Sequence, residues 1–171
     1  MAKGIAKRAE RRYRSEAKPL HGPATMSLRR TESFGYVINY LGRLFARALE
    51  RRIQRYGLHP GQFPALLALW EREGISQAEL CRLVQVEQPT MANTLNRMER
   101  DSLIRREPDP QDRRRALVFL TERARALEAE VTAEARGVNA VAIGSLTPEE
   151  RAELLRLLNK MTGNLEREMG L

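Results

Sequence analysis

Three consecutive arginines, Arg113-Arg114-Arg115, follow the turn-forming stretch Glu107-Pro108-Asp109-Pro110-Gln111-Asp112. Short apolar runs flank the whole, Leu103-Ile104 before it and Leu117 to Leu120 after it. Pro- and Asp-rich residues between two such runs mark a β-hairpin. A hairpin that lifts guanidinium groups off a fold suits the narrow minor groove of DNA, where the negative potential is enhanced. A solvated surface hairpin would have the same composition, so the neighbouring segments must decide between the two. Just upstream, Thr90, Asn93, Asn96, Arg97 and Arg100 recur at steps of three and four. On a helix they share one face, opposite Met91, Leu95 and Met98. Threonine and asparagine hydrogen-bond base edges, asparagine pairing with adenine, and arginines there suit phosphates.

These side chains need elements to aim them. Ser76-Gln77-Ala78-Glu79 is a capping box that opens a short helix through Leu80, Leu83 and Val84. After the break Gln85-Val86-Glu87, Pro89 sits where a new helix favours proline, and the polar face above follows. Two short helices, a brief turn and a basic hairpin are the parts of a winged helix-turn-helix, whose second helix enters the major groove. Around them lie further helical patterns. Phe34, Val37, Ile38, Leu41, Leu44, Phe45, Ala48, Leu49 and Ile53 form one long apolar stripe ended by Gly57. Phe63, Leu66, Leu67 and Trp70 give a second helix with Pro64 in its first turn, stopped by Gly74. Thr121 caps a helix carrying Leu127, Val131, Ala135, Val138 and Ala142. Thr147-Pro148-Glu149-Glu150 opens the last, where Leu154, Leu155, Leu157, Leu158, Met161 and Leu165 exceed what an edge helix of a monomer buries. A second copy of the chain is expected there. The fold class is therefore mainly α with a small β wing.

The chain has 171 residues and a net charge of +8. Residues 1–18 contribute +5 of that, from seven basic and two acidic residues, so the body's case for nucleic acid rests on placement rather than net charge. Residues 1–30 are expected to be a basic flexible arm, and residues 31–171 one domain. A single cysteine, Cys81, excludes an internal disulfide and a cysteine-built metal site. No run approaches a membrane span, and no secretory h-region is present, so the expected location is cytoplasmic. No cofactor, metal motif, Gly-rich phosphate loop or nucleophile elbow is found, and neither His21 nor His59 sits in a recognisable catalytic motif. The expectation is a protein that is not an enzyme.

On these residues the chain resembles the MarR family of bacterial transcription regulators, over about residues 33–168. The resemblance is carried by Gln77-Ala78-Glu79-Leu80, Gln88-Pro89-Thr90-Met91, the run Asn96 to Ile104, and Asp109-Pro110-Gln111-Asp112-Arg113-Arg114 closed by Leu120-Thr121. It implies a homodimer held by helices at about 33–56 and 122–169, with a winged helix-turn-helix at about 60–121. It also implies a pseudo-palindromic double-stranded DNA site, repression, and release by a small ligand, often an aromatic acid or phenol. By the same resemblance Arg114 reaches into the minor groove and Asp112 holds the wing through a salt bridge. Glu87 stands where the family often has serine or threonine, and Asn93 where many members have arginine.

Candidates for the ligand are Tyr40, Arg43, His59, Phe63 and Trp70: an arginine to pair a carboxylate, a histidine to donate, and rings to enclose one. The segments Gly61–Trp70 and Gln88–Leu95 are similar to members tied to hydroxylated nicotinate breakdown, which suggests a hydroxy-nicotinate-like ligand. Two alternatives remain open at this point: a redox-sensing regulator using Cys81, and a winged helix used only for protein contacts.

Overall fold

The computed structural model describes residues 29–112 and 114–170; the expected basic arm lies outside them apart from its last two residues. The amides of Glu32 and Ser33 both donate to the Arg29 carbonyl at 3.0 Å. Ser33 Oγ then accepts from the Tyr36 amide at 3.3 Å, which starts helix α1, Phe34–Ile53.

A 3₁₀ turn, Gln54–Tyr56, follows and is closed by Gly57 at φ +71°, a left-handed conformation that costs glycine little. A second 3₁₀ turn, Pro60–Gln62, leads into α2, Phe63–Glu71, with Pro64 in its first turn as expected. Gly74 does not stop α2, which has already ended at Glu71. At φ +73° it turns the chain into a two-residue strand β1, Ile75–Ser76, and its amide donates to the Val118 carbonyl at 2.8 Å. Two residues are too few to show the alternation by which a strand is read.

The capping box at Ser76 is formed. Ser76 Oγ accepts from the Glu79 amide at 3.3 Å, and a Glu79 carboxylate oxygen accepts from the Ser76 amide at 3.1 Å. It opens α3, Gln77–Val84, which is followed by α4, Gln88–Arg100. The hairpin then rises as β2, Ile104–Pro108, and β3, Ala116–Leu120. The sheet is antiparallel, in the order β1-β3-β2, with Ile75 opposite Val118 and Ile104 opposite Leu120. Thr121 caps α5, Glu122–Ala126, accepting from the Ala124 amide at 3.2 Å. The single helix expected beyond it is two, since Leu127 joins α5 to α6, Glu128–Ala142. The last helix, α7, spans Pro148–Met169 behind a capping box of Thr147 and Glu150.

One buried cluster joins these pieces. It includes Ile53, Leu58, Leu66, Leu69, Leu80, Met91, Leu95, Met98, Leu103, Val118, Leu120, Ala124 and Val131. Two polar ties brace it. Arg125 grips the Glu73 carboxylate through Nη2 and Nε at 2.8 and 3.1 Å, and Glu73 also accepts from the Leu120 amide at 3.0 Å. Arg52 and Arg55 both donate to Glu134, at 3.3 and 2.5 Å, which ties α1 to α6.

Two expected apolar faces are not buried within the chain. Along α1, Ile38, Leu41 and Leu44 are exposed, and only Ile53 is fully buried. In α7 no residue is buried; Leu155 and Leu165 are each 61% exposed. Leu67 and Leu83 are exposed as well. Among the described residues no helix is long and apolar enough to cross a membrane, and no cluster of three or more His, Cys, Asp or Glu could hold a metal.

Candidate nucleic-acid interface

The recognition face is built from the core outward. Met91, Leu95 and Met98 are 1% exposed or less and fix the rotation of α4 about its axis. Thr90, Asn93, Asn96, Arg97 and Arg100 therefore lie on exposed positions. The turn before α4 is set by Gln85 in the left-handed region (φ 55°), with the Gln85 and Val86 amides both donating to the Cys81 carbonyl. Gln77 Nε2 donates to Gln88 Oε1 at 2.9 Å and so clips the first residues of α3 and α4 together. Thr94 bonds back to the Thr90 carbonyl at 2.9 Å, leaving the Thr90 and Asn93 side chains on the outer surface.

Asn96 also has a partner within the chain. Its Oδ1 accepts from Arg106 Nη2 at 2.8 Å, while Arg106 Nη1 donates to Glu99 at 2.8 Å. Arg106 was not singled out in the sequence. The period of two in β2 was the available signal: Ile104 points into the core, so Arg106 shares its side of the sheet and reaches α4. Arg105, on the other side, lies with its guanidinium 5.2 Å from the Phe119 ring centre and donates to the Leu120 carbonyl at 2.8 Å.

The wing tip is held by acids. Asp109, only 8% exposed, accepts from the Gln111 amide at 2.9 Å, and its own amide donates to the Arg115 carbonyl at 3.0 Å. Asp112 was expected to hold the wing by a salt bridge. Among the described residues its carboxylate accepts from the Arg114 backbone amide at 3.0 Å, and its carbonyl accepts from the Arg115 amide at 2.9 Å. Among the described residues the ion pair of the tip is Arg115 with Asp109, at 3.9 Å. Through these backbone bonds Asp112 shapes the loop. Arg114 and Arg115 are exposed, and Arg113 lies outside the described residues.

The ligand candidates are not brought together. A polar cavity of about 450 Å³ is lined by Glu50, His59, Pro60, Gly61, Gln62, Thr94, Arg97, Arg100 and Asp101. Of the expected set only His59 lines it, and the recognition-helix arginines Arg97 and Arg100, read as phosphate contacts, line it too. The Arg43 guanidinium lies 6.0 Å from the Tyr40 ring centre. Phe63 and Trp70 pack edge-to-face at 6.4 Å against the core, and Trp70 Nε1 donates to the Ala124 carbonyl at 3.0 Å. They are partly buried because they complete the core under α5. Burial works to raise the Asp101 carboxyl, but hydrogen bonds from Gln62 and Arg100, with the positive side chains near it, outweigh that and hold it below its ordinary value.

Cys81 is 8% exposed. Burial, with the nearby Glu87 charge adding to it, pushes its thiol up. That disfavours the thiolate, the form that reacts with oxidants.

Comparison with known proteins agrees with this geometry. Residues 56–115 match the model of the MarR family. The HTH-type transcriptional repressor NicR of Pseudomonas putida is 35% identical over 132 residues, covering 73% of this chain and 84% of that protein. A MarR transcriptional regulator from Methanosarcina mazei has a similar solved structure, with TM-score 0.73 and 29% identity, over 78% of this chain and 96% of that one. A MarR-family regulator from Listeria monocytogenes, solved with a 26mer DNA, shares the fold at TM-score 0.73 and 24% identity, over 80% of this chain and 91% of that one. Its buried α4 stripe, its braced wing and these likenesses place the chain in the MarR family, as a winged helix-turn-helix, DNA-binding transcriptional regulator.

Proposed function

We propose that this regulator acts in the cytoplasm as a homodimeric repressor of a pseudo-palindromic promoter site, released by a small aromatic carboxylate or phenol. The observation that carries the reading is the polar outer face of α4, set by a fully buried Met91, Leu95 and Met98 and flanked by an arginine-tipped wing. In this reading Thr90 and Asn93 meet base edges in the major groove. The exposed Arg114, with Arg113 and Arg115, enters the adjacent minor groove, and Asp112 keeps the wing turn in shape.

Two copies are needed because Ile38, Leu41 and Leu44 of α1 and the leucines of α7 are apolar and exposed in one chain. A twofold pair would cover them and set two α4 helices about one DNA turn apart, roughly 34–36 Å.

The effector site in this proposal is the cavity of His59, Gln62, Arg97 and Arg100. Its volume of about 450 Å³ suits a single aromatic ring with a carboxylate. Arg100 is engaged by Asp101 at 3.1 Å, so Arg97 is the guanidinium placed to meet the acid, with His59 donating beside it. A hydroxy-nicotinate would meet Arg97 there beside the carboxylates of Glu50 and Asp101, which line the same cavity. Arg97 belongs to α4, so an occupant pulls directly on the helix that reads DNA. Release requires the occupant to prefer the conformation that does not fit the operator.

The test is binding of the full chain to its own promoter fragment, at several salt concentrations, with and without a panel of aromatic acids. Binding that falls steeply with salt and is reversed by one class of acid supports the reading. Salt-insensitive binding, or no acid that reverses it, refutes the corresponding half.

A further inference from the structure

We infer that Arg106 sets which base Asn96 reads: by holding the carbonyl oxygen of the asparagine it turns the amide NH2 outward, making the contact selective for a keto base, guanine or thymine, over adenine. The inference rests on α4 entering the major groove and goes beyond that reading by assigning the chemistry of one contact. Asn96 and Glu99 stand three residues apart on α4, and a single guanidinium from β2 bridges them, with both bonds at 2.8 Å. A guanidinium donates through all its N–H groups and accepts nothing. Asn96 can therefore meet it only with Oδ1, because the flipped amide would set donor against donor. The side chain's two remaining N–H donors face away from Arg106.

Asparagine pairs with adenine by accepting from N6 and donating to N7 together. Here one lone pair of Oδ1 is committed to Arg106, which turns the oxygen toward the wing and leaves the NH2 as the outward edge of the amide. Cytosine N4 would bring an N–H donor against the outward N–H donors, and adenine offers only N7 as an acceptor, with its N6 donor beside it. Guanine, with O6 and N7, and thymine, with O4, present acceptors. The fork geometry of the guanidinium keeps both of its acceptors in one plane, so Arg106 cannot release Asn96 without also disturbing its bond to Glu99. Its position on the strand is fixed by pairing with buried Val118. The wing base thus acts on specificity through the recognition helix, with Arg106 as a positioning residue.

The experiment selects bound duplexes from a pool with randomised sites, using the full chain. The base pair read by Asn96 is the one whose preference disappears in Asn96→Ala. Guanine or thymine is expected there, favoured over adenine by at least about fivefold, the low end for one specific base contact. Arg106→Ala should move that position toward adenine by a comparable factor and leave the others unchanged. Asn96→Asp keeps an acceptor for Arg106 but points a second acceptor outward. It should move the preference to adenine or cytosine, and it carries the test if Arg106→Ala does not fold. Adenine preferred by the unmodified protein, or an unchanged preference in both variants, overturns the inference. Selective binding in which no position responds to Asn96→Ala also overturns it, while leaving α4 as the reading helix. A pool with no enriched sequence overturns both.

Discussion

Replacing Leu158 and Leu165 of α7 by serine separates the proposed dimer from the fold of the single chain. The two side chains share one face of α7 with Leu154, and they are 37% and 61% exposed, about one whole leucine between them. Full burial of a leucine contributes about 1.5–3 kcal/mol. A twofold interface loses it twice, so the double substitution should weaken association by roughly 3–6 kcal/mol. At about 1.4 kcal/mol per decade, Kd should rise ~100- to 10,000-fold. No residue of α7 is fully buried within the chain, so the protomer loses only the partial cover of Leu158 and little at Leu165. Sedimentation velocity over a wide range of protein concentration reads Kd, and far-ultraviolet circular dichroism on the same samples reads helix content. Operator binding should fall with dimerisation, because one half-site replaces two. An unchanged Kd in a folded double variant would refute the reasoning, and the leucines of α7 would then need another cover.

Three further outcomes follow from particular side chains. Arg114→Ala should weaken binding at all sequences alike and lower the salt slope by about 1, whereas Asn93→Ala should relax preference at one or two base pairs by roughly 1–3 kcal/mol; titrations on matched and mismatched duplexes distinguish these, and identical sequence-independent losses from both would refute the division of roles. The Arg125 hydrogen bond first, then the Leu120 amide and nearby positive charge, hold the Glu73 carboxyl below its ordinary value of 4.5 against the effect of burial; its stabilisation is complete above that ordinary value and is lost as pH falls through the lowered one. Glu73→Gln should therefore lower Tm at pH 7, with the gap to the unmodified protein closing as pH falls below the ordinary carboxyl value and through the lowered one, as thermal melts across pH would record. Cys81 should react with iodoacetamide far more slowly in the folded protein than in denaturant, and rapid labelling of the native state would reopen the redox reading.

Much of this molecule was legible in one dimension because its signals are local. The boxes at Ser76-Glu79 and Thr147-Glu150 satisfy amides three residues away, so the sequence alone marks where α3 and α7 begin. The Met91, Leu95, Met98 stripe fixes which face of α4 is outward, and the apolar runs around a Pro-Asp turn fix the hairpin. Features that depend on residues far apart in the chain were hidden. Arg106 is ten residues from Asn96, Arg125 is 52 from Glu73, and β1 exists only because Ile75 finds Val118. Phe63 and Trp70, open in the sequence to both a core and a ring-binding role, pack against the core under α5, and the polar cavity draws Arg97 and Arg100 from the helix assigned to DNA. The sequence determined most of the helices, the hairpin and the outward face of α4, since helical and strand periods are set by the backbone itself. Only the tertiary structure decided which donor reaches which acceptor, because a hydrogen bond is made at about 3 Å in space, whatever the separation along the chain.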